Sequence, residues 1–181
     1  MISSGDLVRY QTEAKKVFDR AHIVITPEEA KKIEIADFGL GQFEQTGLVV
    51  LVYVNTERCC AKELVLLPKQ TCPEHRHPTK GSVLGKEETF RCRWGKVYLY
   101  VSGESTKNPH CNPPAGREKT YTVWHEVVLN PGEQYTLKPD TLHWFQGGPE
   151  GAVVSEFSTH STDEADVFTD EEIQRITKIA K

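Results

Sequence analysis

The 181-residue chain is 38% hydrophobic and 27% charged, with a formal net charge of −4, which fits one water-soluble globular domain. Its acidic balance and the lack of a basic block argue against a nucleic-acid partner. No apolar run reaches the roughly eighteen residues needed to span a bilayer. The opening Met1-Ile2-Ser3-Ser4-Gly5-Asp6 lacks the charged-then-apolar order of a secretory signal. The five cysteines, at 59, 60, 72, 92 and 111, contain no CxxC pair and read as free thiols of a cytoplasmic protein.

Two helices open the chain. Leu7, Tyr10, Ala14, Val17, Phe18 and Ala21 recur at three-to-four spacing and predict an amphipathic helix over 6–21, with Ser4 as its cap. Thr26-Pro27-Glu28-Glu29 is a capping box with proline in the first turn, announcing a second, short helix. The pattern then changes to short β-branched and aromatic runs at 48–54, 61–67, 88–94, 96–102, 121–129, 134–138 and 151–158. Turn residues separate them, including Gly95, Asn130-Pro131-Gly132 and Gly147-Gly148-Pro149. Seven or so strands without alternating helices predict an antiparallel barrel or sandwich. A second capping box, Thr169-Asp170-Glu171-Glu172, with Ile173, Ile176 and Ile179 behind it, predicts a short C-terminal helix. The expected organisation is one domain over 1–181: a helical arm over 1–35, a β-barrel over 36–160, then a loop and helix over 161–181.

Chemistry concentrates on four residues. His75 and His77 alternate across Arg76, so an extended strand projects both imidazoles to one face. Glu88 opens a strand in register with Phe90 and Cys92, and His143 follows the Pro139-Asp140-Thr141-Leu142 turn. Three imidazoles and a carboxylate suit Mn²⁺, Fe²⁺, Co²⁺, Ni²⁺ or Zn²⁺, and leave room for water or substrate. Glu87 is an alternative ligand by type; strand parity favours Glu88. Standing alone, a His-x-His pair reads as two polar residues on a surface strand.

The surroundings make the difference. His75-Arg76-His77, then Glu88, six residues and Gly95, followed by Gly132, Pro139 and His143, resembles the two motifs of the cupins. That resemblance implies a mainly β fold, a cupin-type antiparallel β-barrel (jelly roll), holding a divalent metal on His75, His77, Glu88 and His143. The interval from His77 to Glu88 is longer than usual for cupins and implies an inserted loop through Pro78-Thr79-Lys80-Gly81. Thr141 and Gly147 also depart from the family pattern.

Tyr53-Val54-Asn55-Thr56-Glu57-Arg58, Cys72-Pro73-Glu74-His75-Arg76-His77-Pro78 and Gly85-Lys86-Glu87-Glu88-Thr89-Phe90-Arg91-Cys92-Arg93-Trp94-Gly95 further resemble the small D-lyxose isomerases. The resemblance implies a Mn²⁺-dependent, homodimeric enzyme interconverting D-lyxose with D-xylulose, and D-mannose with D-fructose. Moving a proton between C1 and C2 needs a base, and Glu156, flanked by apolar residues on the 152–158 strand, is the candidate. Lys86 shares the parity of Glu88 and is placed to steady negative charge on the sugar oxygens. Asp166 is the candidate for binding sugar hydroxyls. Against these stand a solvated strand glutamate, a surface lysine by a turn and a solvated acidic loop. His125 alternates with Val123 and Val127 and is expected to face the interior. Rival functions are an Fe²⁺ dioxygenase, a sugar-phosphate isomerase and a sugar-binding cupin without turnover.

Overall fold

The computed structural model describes residues 1–180. A two-residue strand β1 (Ile2–Ser3) leads into α1 (Ser4–Arg20), and α2 (Pro27–Lys32) follows. Both helices start on the residue chemistry expected of them. Ser3, one place before the expected cap, accepts from the Asp6 N–H, and Thr26 and Glu29 complete a reciprocal capping box.

The β-region comprises β2 (Glu34–Ala36), β3 (Leu48–Asn55), β4 (Cys60–Leu66), β5 (Thr71–Arg76), β6 (Glu88–Val101), β7 (His125–Leu129), β8 (Gln134–Leu137), β9 (His143–Ser158) and β10 (Val167–Phe168). All of its pairings are antiparallel, in the order β10-β5-β9-β4-β3-β2, with β6 also paired to β7, β8 and β9. β6 and β9 form the spine, paired from Glu88↔Ser158 to Val101↔His143. β6 was expected as two strands broken at Gly95, and the 151–158 strand as cut off from His143 by a turn at Gly147-Gly148-Pro149. The chain instead bends and continues. Gly95 and Gly151 both have positive φ (72° and 90°), and a Cβ on Gly95 would lie 2.1 Å from the Gly151 carbonyl oxygen. The glycines make a bulge where two backbones touch, not a turn.

Alternation then sorts the side chains. Leu64, Leu66, Phe90, Cys92, Leu99, Phe145 and Val154 point into the barrel. Val49, Leu51, Val65 and Val153 point outward, under the Tyr10, Ala14, Val17 and Phe18 face of α1. On the opposite wall, Tyr100 and Trp144 stack at 3.9 Å beneath the 104–124 loop. The result is a cupin-like jelly roll with a helix against one outer face.

The expected C-terminal helix is absent; 169–178 is an irregular strap ending in β11 (Ile179–Ala180), which pairs with β1. Its capping groups are claimed by tertiary partners. The Thr169 hydroxyl donates to Glu74, Asp170 and Glu172 bind Arg117, and the Gln174 N–H donates to the Phe38 carbonyl. Long-range bonds outweigh a local box worth about 1 kcal/mol.

Candidate metal centre

Three strands deliver the chemistry to one end of the barrel. β5 carries His75 and, one residue past its end, His77; β6 opens with Glu88; β9 opens with His143, directly opposite His75 and Val101. The ring nitrogens of His75, His77 and His143 lie within 4.8 Å of one another, and all three residues are buried. Glu88 joins them, its Oε1 at 3.0 Å from His77 Nε2 and 3.2 Å from His143 Nε2.

The orientation of the rings decides what they can do. Nδ1 of His75 lies 2.8 Å from the Pro73 carbonyl and Nδ1 of His143 lies 2.9 Å from the Thr141 carbonyl. Carbonyls only accept, so each Nδ1 carries the proton and the inward Nε2 of the neutral ring presents a lone pair. His77 Nδ1 faces Asp166 at 2.6 Å. This outward anchoring of each ring is what fixes a metal-binding imidazole. His143 Nε2 is buried with no hydrogen-bond partner, because its contact with Glu88 lacks hydrogen-bond geometry. An orphaned buried nitrogen beside a carboxylate and two more imidazoles fits a divalent cation.

Electrostatics agree. Burial, with the neighbouring His143 and His77, holds His75 well below the usual histidine range. Burial opposes charge on His77 as well, but Glu88 and Asp166 outweigh it and carry its pKa up to about 9. Burial would raise Glu88, yet Lys86 and His77 hold it well below the usual carboxylate range.

Lys86 is buried, its Nζ 2.7 Å from Glu88 Oε2 and 3.0 Å from Glu156 Oε1. Burial disfavours its charge, but Glu88 and Glu156 keep it protonated, well above the usual lysine range. Glu156 is also buried and lines the same interior. Asp166 reaches the site as well, although one of its oxygens is committed to His77. Above them a vestibule of about 790 Å³ opens, with His77, Lys86 and Asp166 in its floor and His160, Val83 and Leu84 on its walls.

Sequence reasoning missed three members. Lys62, 3% exposed, places Nζ 2.8 Å from Asp163, 2.9 Å from Ser161 Oγ and 3.5 Å from Glu156. Arg175, from the strap, reaches Asp163 at 3.2 Å and also pairs with Glu34. Lys62 was detectable: it interrupts the inward register Leu64, Leu66 of an apolar strand, where a lysine stays only if paired. Asp163 and Arg175 sit in irregular segments whose fold no periodicity announces. His125 was expected inside and is exposed, its Nδ1 3.1 Å from the Glu104 carbonyl. The 121–129 run begins as a strand only at His125, and the 104–124 loop ends there.

A cupin-like barrel with a buried histidine cluster and an adjoining carboxylate–ammonium pair defines a candidate metal-dependent enzyme. Comparison then narrows the class. Residues 21–181 match the D-lyxose isomerase family, and the chain belongs to it. It is 63% identical over 179 residues to a D-lyxose/D-mannose isomerase of Thermosediminibacter oceani, covering 99% of each chain. It is 59% identical over 175 residues to a D-lyxose ketol-isomerase of a Thermofilum species, covering 96% of this chain and 97% of the relative. In fold it matches the crystal structure of Cellulomonas parahominis L-ribose isomerase at TM-score 0.80, with 20% identity over 99% and 98% of the two chains.

Proposed function

We propose that this protein is a Mn²⁺-dependent aldose–ketose isomerase that interconverts D-lyxose with D-xylulose, and D-mannose with D-fructose. One observation carries the reading: His75, His77, Glu88 and the Lys86–Glu156 pair line one cavity, with His143 clustered against the two histidines, in a chain 63% identical to a D-lyxose/D-mannose isomerase.

His75, His77, His143 and Glu88 would hold the ion. When bound, a divalent ion supplies Lewis acidity at the sugar's O1 and O2, where charge develops. Glu156 takes the proton from C2 and returns it to C1, so one C–H bond breaks and another forms. The hydroxyl proton passes from O2 to O1 beside Lys86, whose ammonium steadies negative charge on either oxygen. Asp166 orients His77 through one oxygen and offers the other to a sugar hydroxyl. Lys62, Lys86 and Arg175, the cations lining the inner cavity, are each paired with carboxylates, which leaves none of the three free for a phosphate and favours an unphosphorylated sugar.

Mn²⁺ suits three imidazoles, one carboxylate and open positions. The exposed Val52, Tyr53, Val54 and Phe157 supply an apolar surface for a second copy and favour a homodimer. Five free thiols, four of them buried, favour a cytoplasmic setting.

The test is ketose formation from D-lyxose by metal-stripped protein, with and without added Mn²⁺. Production of D-xylulose only with metal is the expected result. No ketose from D-lyxose or D-mannose under any divalent ion would sink the assignment and leave a sugar-binding cupin.

A further inference from the structure

The ten residues between His77 and Glu88 pose a mechanical problem. A flexible insertion between two candidate ligands would let them wander, and metal affinity depends on groups fixed to within a fraction of an ångström. The structure closes this loop on itself and nails it down from outside. The Gly85 N–H donates to Thr79 Oγ1 at 3.1 Å, and Lys80 and Val83 exchange backbone bonds at 2.9 and 3.1 Å. Gly85 then packs on the backbone of His77, where an added Cβ would lie 2.1 Å from the His77 carbonyl oxygen.

The nail is Asp140. Its carboxylate accepts from the Thr79 N–H at 2.8 Å, from the Thr79 hydroxyl and from Arg76 at 3.1 Å, while its own N–H donates to the His77 carbonyl at 3.2 Å. Asp140 has φ of 63°, a left-handed conformation that aspartate and asparagine tolerate best among side-chain-bearing residues. It lies three residues before His143. One residue, in the turn that delivers His143, therefore holds Arg76 before His77, the His77 carbonyl itself and the loop's closing Thr79.

We propose that Asp140 is a positioning residue for the metal centre, registering the His77-to-Glu88 loop against the His143 turn and thereby setting divalent-metal affinity. The inference rests on the metal-centre reading above. It concerns a half-exposed carboxylate that touches neither the ion's ligands by side chain nor the substrate.

The probe is Co²⁺ alone, titrated into metal-stripped protein in competition with a chromophoric chelator, with the visible spectrum of the bound ion recorded. Asp140→Ala should weaken Co²⁺ about tenfold, the lower end for groups that orient metal ligands, and alter the spectrum, a loss larger than the fall in metal-free stability that alanine brings at this left-handed position. Thr79→Val, which keeps the N–H but removes the hydroxyl, should act in the same direction. Thr79→Val also takes the acceptor from the Gly85 N–H, so the double variant should be weaker than Asp140→Ala by less than the full effect of Thr79→Val, because the two changes share the Thr79–Asp140 tie. Asp140→Asn keeps the left-handed backbone and one acceptor, and should fall between wild type and alanine; it serves also if alanine does not fold. Wild-type affinity and spectrum in Asp140→Ala and Asp140→Asn would overturn the proposal. So would fully additive effects of Asp140 and Thr79, or weakened binding with an unchanged spectrum and an equal loss of metal-free stability. Failure of the wild type to bind Co²⁺ would instead bring down the metal-centre reading itself.

Discussion

The two ends of the barrel interior are built on the same strands and obey opposite rules. On β4 the inward residues are Leu66 and Leu64, then Lys62; on β9 Ala152 and Val154, then Glu156; on β6 Cys92 and Phe90, then Glu88. One step along each strand the filling changes from hydrocarbon to charge, with no change in burial: Lys62, Glu88 and Glu156 are 3%, 1% and 4% exposed. At the apolar end each side chain stabilises the fold by leaving water. At the charged end each group is costly alone and tolerable only through its partners. The apolar end supplies the stability that lets the other end hold its buried lysines and carboxyl groups and a metal-ready cluster in place.

That division is broken most sharply by one substitution at each end. Glu156→Gln keeps the shape of the side chain and removes the base; the isomerisation rate should fall about 10³-fold, within the range for general-base loss, with divalent-metal affinity close to wild type and only a modest loss of stability, because Lys86 keeps Glu88 and Lys62 keeps Asp163. Leu99→Ala, at the apolar end, should do the reverse, costing about 2–5 kcal/mol of stability while the properly folded fraction retains its metal affinity. Urea unfolding and single-turnover kinetics on both variants decide the matter. Equal losses of rate and stability in both would show that the two ends are not separable.

Lys62 tests the charged end from within. Lys62→Met fits the volume but strips Asp163 of its nearest cation and Glu156 of one of two, so unfolding in urea should show a loss of about 3 kcal/mol, as when one partner of a buried pair is removed. Adding Asp163→Asn removes the abandoned charge and should restore a large part of that loss. A Lys62→Met protein as stable as wild type would mean that water already reaches the cluster and that its burial counts for little.

The same contrast explains what could be read from the chain before its fold was known. Period-two alternation placed the strands and sent Glu88, Glu156 and the His75/His77 pair inward, because parity is a property of the backbone. Three-to-four apolar spacing located α1, although its cap is Ser3 and not the expected Ser4, and the Thr26 capping box located α2. Two kinds of information were out of reach. The bends at Gly95 and Gly151 depend on a close approach of two strands distant in sequence, so a glycine that permits contact looked like a glycine that ends a strand. The strap over 169–178 lost its expected helix because Glu74, Arg117 and Phe38 compete for its capping groups, and those partners lie far away along the chain. Arg175 and Asp163 were invisible for the same reason, whereas Lys62 was legible as a cation in an apolar register.

The smallest effect concerns acid. Burial would raise the Asp163 carboxyl, but Lys62, Lys86 and Arg175 outweigh it and hold the carboxyl well below the usual range. A carboxyl whose folded value lies below its unfolded value of about 3.9 stabilises the fold fully above that unfolded value, and loses the contribution as pH falls toward the folded one. Below about pH 4 the wild type should therefore lose stability partly through Asp163, and Asp163→Asn should lack that part. The variant should melt lower than wild type at pH 7, by the value of the lost ion pairs, and the gap should narrow as the pH is taken from 5 to 3. Other carboxylates titrate in the same window in both proteins, so only the difference between the two melting curves carries the answer. A gap that stays constant across the window would mean that Asp163 is not held ionised by its three cations, and that the charged end depends on packing more than on charge.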